Sequence, residues 1–315
     1  MARSSRTGVL VESALLIAIS TLFCVLDAYI PVFALVYPLP IVILVVRRGL
    51  RAGVWATIVT IAASSMFVGP LQGLLVFTKI GIIGITLAQC IRKRFSPMKT
   101  IAITAVAVAV SMAFVIGFNM LVSGFGIDET WELMRKSMDS AVEFYRRMGV
   151  GEEEISRMET YLSQLTETAK IVLPAGLLMV VVTVASFNYF IARLILGKLG
   201  HKMEDIKPFS EWRLPWHYGW GYLGGIGLTI IGQATEIPLI SNIGSNVISI
   251  FSLVFLVQGA ALVWYFFDKY KLASIAKWMI IIFIVLNPTF VQILSWVGVL
   301  DAWLDFRKRF SESKG

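Results

Sequence analysis

The sequence predicts an all-α integral membrane protein, a bundle of about eight or nine transmembrane helices. Three observations predict it. Of the 315 residues, 57% are hydrophobic and only 15% charged, whereas a soluble domain is about a quarter charged. Apolar runs long enough for helices of about 20 residues recur along the chain. Five of these runs cross the first 123 residues, and the connectors between them are basic only at every second junction.

That alternation sets the expected topology. Arg3 and Arg6 precede the first run; Arg47, Arg48 and Arg51 separate the second from the third; Arg92, Lys93, Arg94 and Lys99 separate the fourth from the fifth. The connectors around Asp27–Pro31 and Gly69–Pro70 carry no lysine or arginine. Basic residues near span ends stay cytoplasmic, so a multi-pass protein with a cytoplasmic N-terminus is expected. Glu12 interrupts the first run and no small-residue cleavage site follows, so this run reads as an uncleaved span rather than a signal peptide.

Spans are expected near 9–27, 32–46, 51–68, 71–91, 100–123, 170–196, 217–236 and 245–267. The second contains Pro38 and Pro40, which remove backbone donors and should bend it. Such a break is tolerated where protein or water satisfies the freed carbonyls, so Tyr29–Pro40 is either a cavity wall or a kinked packing helix.

Between the fifth and sixth spans lies a charged insert, 124–169, with ten acidic residues against five basic ones. Trp131, Met134, Met138, Ala141, Val142, Tyr145 and Met148 recur at helical steps, as do Ile155, Met158, Leu162 and Leu165. Asp128 can cap the first helix, Gly149 and Gly151 can end it, and Glu152–Glu154 suit the first turn of the second. Two amphipathic helices forming an extracytoplasmic hairpin follow, read as a substrate lid or as inert packing.

Residues 201–216 combine His201, Lys202, Lys207 and Arg213 with Phe209, Trp212 and Trp216. Aromatics with cations at a span entrance suit an interfacial anchor on the cytoplasmic side, or a docking surface. The last apolar stretch, 275–300, is split by Asn287-Pro288 and followed by Arg307, Lys308 and Arg309. It reads either as a ninth span or as a re-entrant hairpin that returns the basic tail to the cytoplasm.

The net charge of +8 does not indicate nucleic-acid binding, because its basic residues sit where a cytoplasmic membrane surface would be. Cys24 and Cys90 lie inside apolar runs, away from metal-ligand company, and read as small buried hydrophobes. The two histidines, His201 and His217, fall outside any intramembrane polar cluster, and HExxH, GxSxG and GxxxxGK[ST] motifs are absent. No enzymatic activity, no cofactor, no metal and no direct coupling to ATP are therefore expected.

Lys79 is the most informative single residue. It lies near the middle of the fourth span, where a lysine costs on the order of 3 kcal/mol and is expected to face the bundle or a wet cavity. Asp27, Glu236 or an anionic ligand could supply its counter-charge. Asp27, Tyr29, Gln72 and Asn119 join it as polar groups in the outer half of the bundle, either as a ligand site or as interhelical hydrogen bonds worth roughly 1 kcal/mol each. Asn188 fits the interhelical role. Small-residue faces occur at Gly53, Ala56, Thr60 and Ala63, at Gly221 and Gly225, and at Ala14 and Ala18, where backbones can approach closely.

At these residues the chain resembles known proteins. Ala14–Ala18, the Pro38–Pro40 run into Arg47-Arg48-Gly49, the small-residue third span and Gly69-Pro70 resemble the substrate-binding S components of energy-coupling factor transporters, over about the first 200 residues. The whole chain is similar to the YybS-like predicted membrane proteins of bacteria, through Phe209-Ser210-Glu211-Trp212-Arg213-Leu214-Pro215 and Leu300-Asp301-Ala302-Trp303-Leu304-Asp305-Phe306-Arg307. The first resemblance implies an S-component-like six-span bundle over 1–200, including the insert 124–169. A cytoplasmic interfacial segment at 201–216 and additional spans with a basic tail at 217–315 would follow. It implies a vitamin-like ligand held near the outer face of a bacterial cytoplasmic (inner) membrane protein, the half of the bundle in which Lys79, Asp27, Tyr29, Gln72 and Asn119 are read as a candidate ligand site. A separate transmembrane coupling subunit, contacting Ala14 and Ala18, and ATPases would act with it in the lipid bilayer. The chain departs from that pattern in the acidic insert, the extra spans and the lack of a vitamin-specific signature. The alternative expectation is a membrane scaffold that recruits envelope or division partners without transport.

Overall fold

A computed structural model of the chain describes residues 6–124, 126–201 and 203–312. Arg3 and Lys202, which the sequence reading assigns to the cytoplasmic surface, lie outside the described residues. Among the described residues all regular structure is helical. The chain divides into two compact units, Met1–Gly149 with Val180–Asp205, and Val150–Met179 with Ile206–Gly315.

The first unit begins with α1, Arg6–Asp27, whose largely apolar sequence, interrupted at Glu12, gives a full-length helix. After it the chain forms a 3-10 turn, Pro31–Leu35, and then α2, Leu39–Arg48, of only 10 residues. At 1.5 Å per residue α2 is about 15 Å long, half a bilayer core. The expected span at 32–46, bent by its prolines, is thus corrected. Pro38 is the N-cap and Pro40 stands in the first turn, where a missing N–H disrupts no intrahelical bond, so the prolines start a helix rather than kink one. Leu39–Val45 are all buried, forming the centre of this unit.

Around α2 stand α3, Leu50–Val68, and α4, Pro70–Arg92. The small face expected on α3 is used: Ala56 and Thr60 are buried, and a Cβ on Gly53 would lie 2.0 Å from Val45 Cγ2. The helix α5, Pro97–Ser123, packs through Ala105 and Val108 against Ile83, Val181 and Ala185. At one end of the unit Glu12 of α1 forms ion pairs with Arg47 and Arg48, and the Arg92 side chain lies beside Gly49. An acid near the start of the first apolar run is thereby neutralised by the cluster of cations.

The insert gives α6, Ile127–Arg147, with Glu129 accepting from the Gly126 backbone N–H. Its apolar stripe is sheltered at Trp131, Met134, Met138 and Val142, while Glu132, Arg135, Lys136 and Asp139 are exposed. The second insert helix and the sixth span, expected as separate elements, are one continuous helix, α7, Glu152–Lys198, of 47 residues. No helix-stopping residue intervenes between Glu167 and the apolar run, so the helical hydrogen-bond ladder continues.

The second unit contains the first part of α7, which has Pro174 in its interior. Beside that proline the Asn246 carboxamide enters the ladder: the Ala175 N–H donates to Asn246 Oδ1 at 2.9 Å, and Asn246 Nδ2 donates to the Ile171 carbonyl at 2.7 Å. One side chain thus satisfies both halves of an opened helical bond. Asn246 belongs to α9, Pro238–Lys269, which follows α8, Tyr218–Ala234. The expected Gly221/Gly225 face meets α9 at Phe251 and Ile248.

Beyond α9, the stretch expected as one span or a re-entrant hairpin forms α10, Ser274–Leu286, and α11, Pro288–Leu304, bent by 106° at Asn287. Asn287 caps α11, accepting from the Thr289 N–H at 3.0 Å. The backbones of α9 and α11 touch: a Cβ on Gly298 would lie 1.9 Å from the Phe255 carbonyl oxygen, and one on Gly259 2.1 Å from that of Leu294. The described residues end in α12, Phe306–Glu312.

The segment 206–216 is held by this end of the chain. Gln258 bridges the Leu214 N–H and the Asp301 carboxylate, at 3.0 and 2.6 Å. Arg307 donates to the Ser210 carbonyl, Arg213 pairs with Asp305 at 2.9 Å, and Trp303 Nε1 donates to the Trp216 carbonyl at 3.1 Å.

Among the described residues six helices are long and apolar enough to cross a membrane, or up to seven if the bent pair counts as one span. The expectation of eight or nine included 32–46, which is too short, and 217–236, where α8 has 17 residues, at the lower limit for crossing.

Candidate functional site

The first unit holds a cavity of about 440 Å³ bounded by α1, the 31–38 segment, α3 and α4. Each wall follows from local sequence. Asp27 is the last residue of α1. Tyr29 follows in the connector, and Tyr37 precedes the prolines that begin α2. Phe67 and Val68 end α3, and Gly69, at φ +87°, turns the chain into α4. Close approach of the two helices there requires glycine at 73, since a Cβ would lie 1.7 Å from Ser65 Oγ.

Within α4, Phe77–Gly84 is π-helical. Widening a helix by one residue per turn changes the direction of the side chains it carries, and such segments recur at functional sites. Lys79 lies in this segment. Its Nζ donates to Asp27 Oδ2 at 3.3 Å and stands 5.7 Å from the centre of the Tyr37 ring. Lys79 retains 35% and Asp27 16% side-chain exposure, so the pair is sheltered yet reachable. Tyr37 is buried, its position held by Ser20 Oγ donating to the Tyr37 carbonyl at 3.1 Å.

Four of the expected residues, Asp27, Tyr29, Gln72 and Lys79, therefore line one cavity. Asp27 is the partner of Lys79, while Glu236 is exposed in the turn after α8. Asn119 is not among the lining residues: its Nδ2 donates to the Val115 carbonyl one turn back in α5, at 2.7 Å. A helical asparagine can satisfy its amide on its own backbone, and polarity alone does not reveal that choice. Ala14 and Ala18 are exposed on α1. Asn188 is buried and donates to the Val184 carbonyl at 2.9 Å.

Tyr37 lies in the Tyr29–Pro40 segment read from the sequence as a cavity wall or a kinked packing helix, without being singled out there, whereas Cys24 read only as a small buried hydrophobe. Cys24 is a buried free thiol in the cavity wall. Among the described residues no group of three or more His, Cys, Asp or Glu side chains could hold a metal ion. A larger hollow of about 690 Å³ is lined only by Phe190–Lys198 residues of α7, one helix face without an opposite wall.

Comparison with known proteins agrees with the membrane reading. The family model described as predicted membrane protein (DUF2232) matches residues 18–302. "Uncharacterized protein YybS" of Bacillus subtilis (strain 168) is 25% identical over 317 residues, covering 96% of this chain and 99% of that protein. Neither match shows the resemblance to the S components of energy-coupling factor transporters. No solved structure matches.

Proposed function

The chain belongs to the DUF2232 family of predicted membrane proteins, and on that footing we propose that it is a transport-type protein binding a small molecule in the Asp27–Lys79 cavity. The observation that carries this reading is the sheltered but reachable ion pair, set on a π-helical segment in the wall of a cavity of about 440 Å³. A purely structural lysine in lipid would be expected to be fully enclosed or to reach an interface.

In this reading the cation-rich end, with Arg47, Arg48 and Arg92, faces the cytoplasm, and the cavity lies in the outer half of a bacterial inner-membrane protein. The chain carries no phosphate-cradling loop, so separate subunits, a transmembrane partner and ATPases, supply the drive. The exposed Ala14 and Ala18 ridge of α1 is the surface offered to that partner. The protein performs no chemistry on its cargo.

The test is affinity purification in mild detergent with mass spectrometry of co-eluting metabolites and proteins. Lys79→Met should lose the co-eluting small molecule while remaining inserted in the membrane. Equal recovery of that molecule with the variant removes Lys79 from the site.

A scaffold reading draws on a different observation. Helix α6 leaves Leu133, Phe144 and Tyr145 exposed among its charges. Deleting 128–167 would then remove a protein partner and leave small-molecule recovery unchanged.

A further inference from the structure

We infer that the Asp27–Lys79 cavity takes a zwitterion, a small solute of zero net charge carrying one cationic and one anionic group. This rests on the binding reading above. Its starting point is that both members of the ion pair line the same cavity, while every other lining residue is neutral. The walls therefore carry one positive and one negative charge and no net charge.

Neither group is saturated by the other. An ammonium carries three N–H donors and a carboxylate accepts at two oxygens. The pair is joined by a single hydrogen bond, Nζ to Oδ2, at 3.3 Å, which is long for a charge-assisted bond. Donor capacity on Lys79 and acceptor capacity on Asp27 both remain for a guest.

Exchange of partners decides the charge of that guest. A monoanion that captures Lys79 strips Asp27 of its counter-charge, with only 16% of that side chain exposed to be rehydrated. A monocation that captures Asp27 strands Lys79 in the same way. Burying a charge without a partner is unfavourable. A zwitterion gives each wall charge a new partner at once, converting one ion pair into two. The Tyr37 ring, 5.7 Å from Nζ, offers its face to a cation held at this point, the lysine's or the solute's. A volume of about 440 Å³ lies toward the small end of ligand cavities, which suits a solute of amino-acid size.

The experiment uses the purified full chain in detergent. Thermal unfolding is followed with natural amino acids of uncharged side chain added singly, each beside its amide (a cation) and its N-acetyl derivative (an anion). Solutes co-eluting with the untreated protein are identified by mass spectrometry. The expected result is a raised unfolding midpoint with at least one amino acid, its two charged derivatives requiring concentrations at least about tenfold higher. Lys79→Met and Asp27→Asn should each abolish that shift, and Lys79→Arg, which keeps the charge, should retain it. A co-eluting solute of zero net charge bearing both groups supports the inference equally. Stabilisation by the amide or the N-acetyl derivative as strong as by the amino acid, or a co-eluting solute with net charge, overturns the zwitterion assignment and leaves small-molecule binding standing. No shift with any probe and no co-eluting solute overturns both.

Discussion

The Arg307 guanidinium lies 3.4 Å from the Asp301 carboxylate, with 2% of each side chain exposed. Around this pair the segments 206–216 and 300–307 of the second unit are fastened together: Arg307 also donates to the Ser210 carbonyl, and Gln258 donates to Asp301 while accepting from the Leu214 N–H. Breaking a buried pair strands one charge, at about 3–5 kcal/mol, whereas removing both charges together is often nearly neutral. Arg307→Met is expected to lower the unfolding midpoint and expose the 206–216 segment to trypsin. The double variant Arg307→Met/Asp301→Leu should recover most of the loss. Equal losses in the single and double variants would show that the pair is not coupled.

The Asp27–Lys79 pair should behave differently. Both groups keep access to the cavity, so breaking this pair should cost less than the about 3–5 kcal/mol of the enclosed Arg307–Asp301 pair. Asp27→Asn is expected to lower the unfolding midpoint by less than Arg307→Met does, while changing small-molecule recovery. A loss of stability as large as that of Arg307→Met would assign the pair a structural role.

Asn246 supports the Pro174 region of α7 by bonding both Ile171 and Ala175. Asn246→Ala leaves a buried N–H and a carbonyl unpaired, a destabilisation of about 1–3 kcal/mol. Hydrogen exchange at the Ala175 amide should accelerate; unchanged protection there would mean that the carboxamide is not its partner.

Glycines in helices separate into two kinds. Gly298→Ala would place a Cβ 1.9 Å from the Phe255 carbonyl oxygen, so α9 and α11 must separate, at about 1–3 kcal/mol or more. Gly176→Ala meets nothing within 4 Å and should stabilise α7 by up to about 1 kcal/mol through helix propensity. Midpoints of the two variants moving in the same direction would refute this packing.

The charged face of α6 supplies a pH dependence. Hydrogen bonding from Arg147 holds Glu143 below its ordinary value of 4.5, and Lys136 does the same for Glu132. A carboxylate whose folded pKa is depressed contributes stability above its unfolded pKa and loses it as pH falls through the folded value. Helix content is therefore expected to be flat around neutrality and to fall on acidification below about 4.5, measured by circular dichroism. Glu143→Gln and Glu132→Gln together should remove part of that acid transition.

Several features were determined by the sequence itself. Long apolar runs with few charges require a helical membrane protein, because lipid offers no partners to an unpaired backbone. The cations at Arg47, Arg48 and Arg92 gather near one end of the first unit, and Asp27, Tyr29, Gln72 and Lys79 line one cavity away from it. Polar groups too costly to leave in lipid were visible as interruptions in those runs. Tertiary structure decided what hydropathy cannot distinguish. Transfer to an apolar phase is equally favourable in lipid or in a protein core, so the buried Leu39–Val45 of the short α2 and the exposed Val106 and Val110 of α5 look alike in sequence. The same holds for polar residues. Asn119 donates to a carbonyl of its own helix, Asn246 bonds another helix as well as its own, and Arg307 meets Ser210 across 97 residues of chain. Those choices depend on which backbones come close enough to be bonded, and that is fixed only when the helices pack.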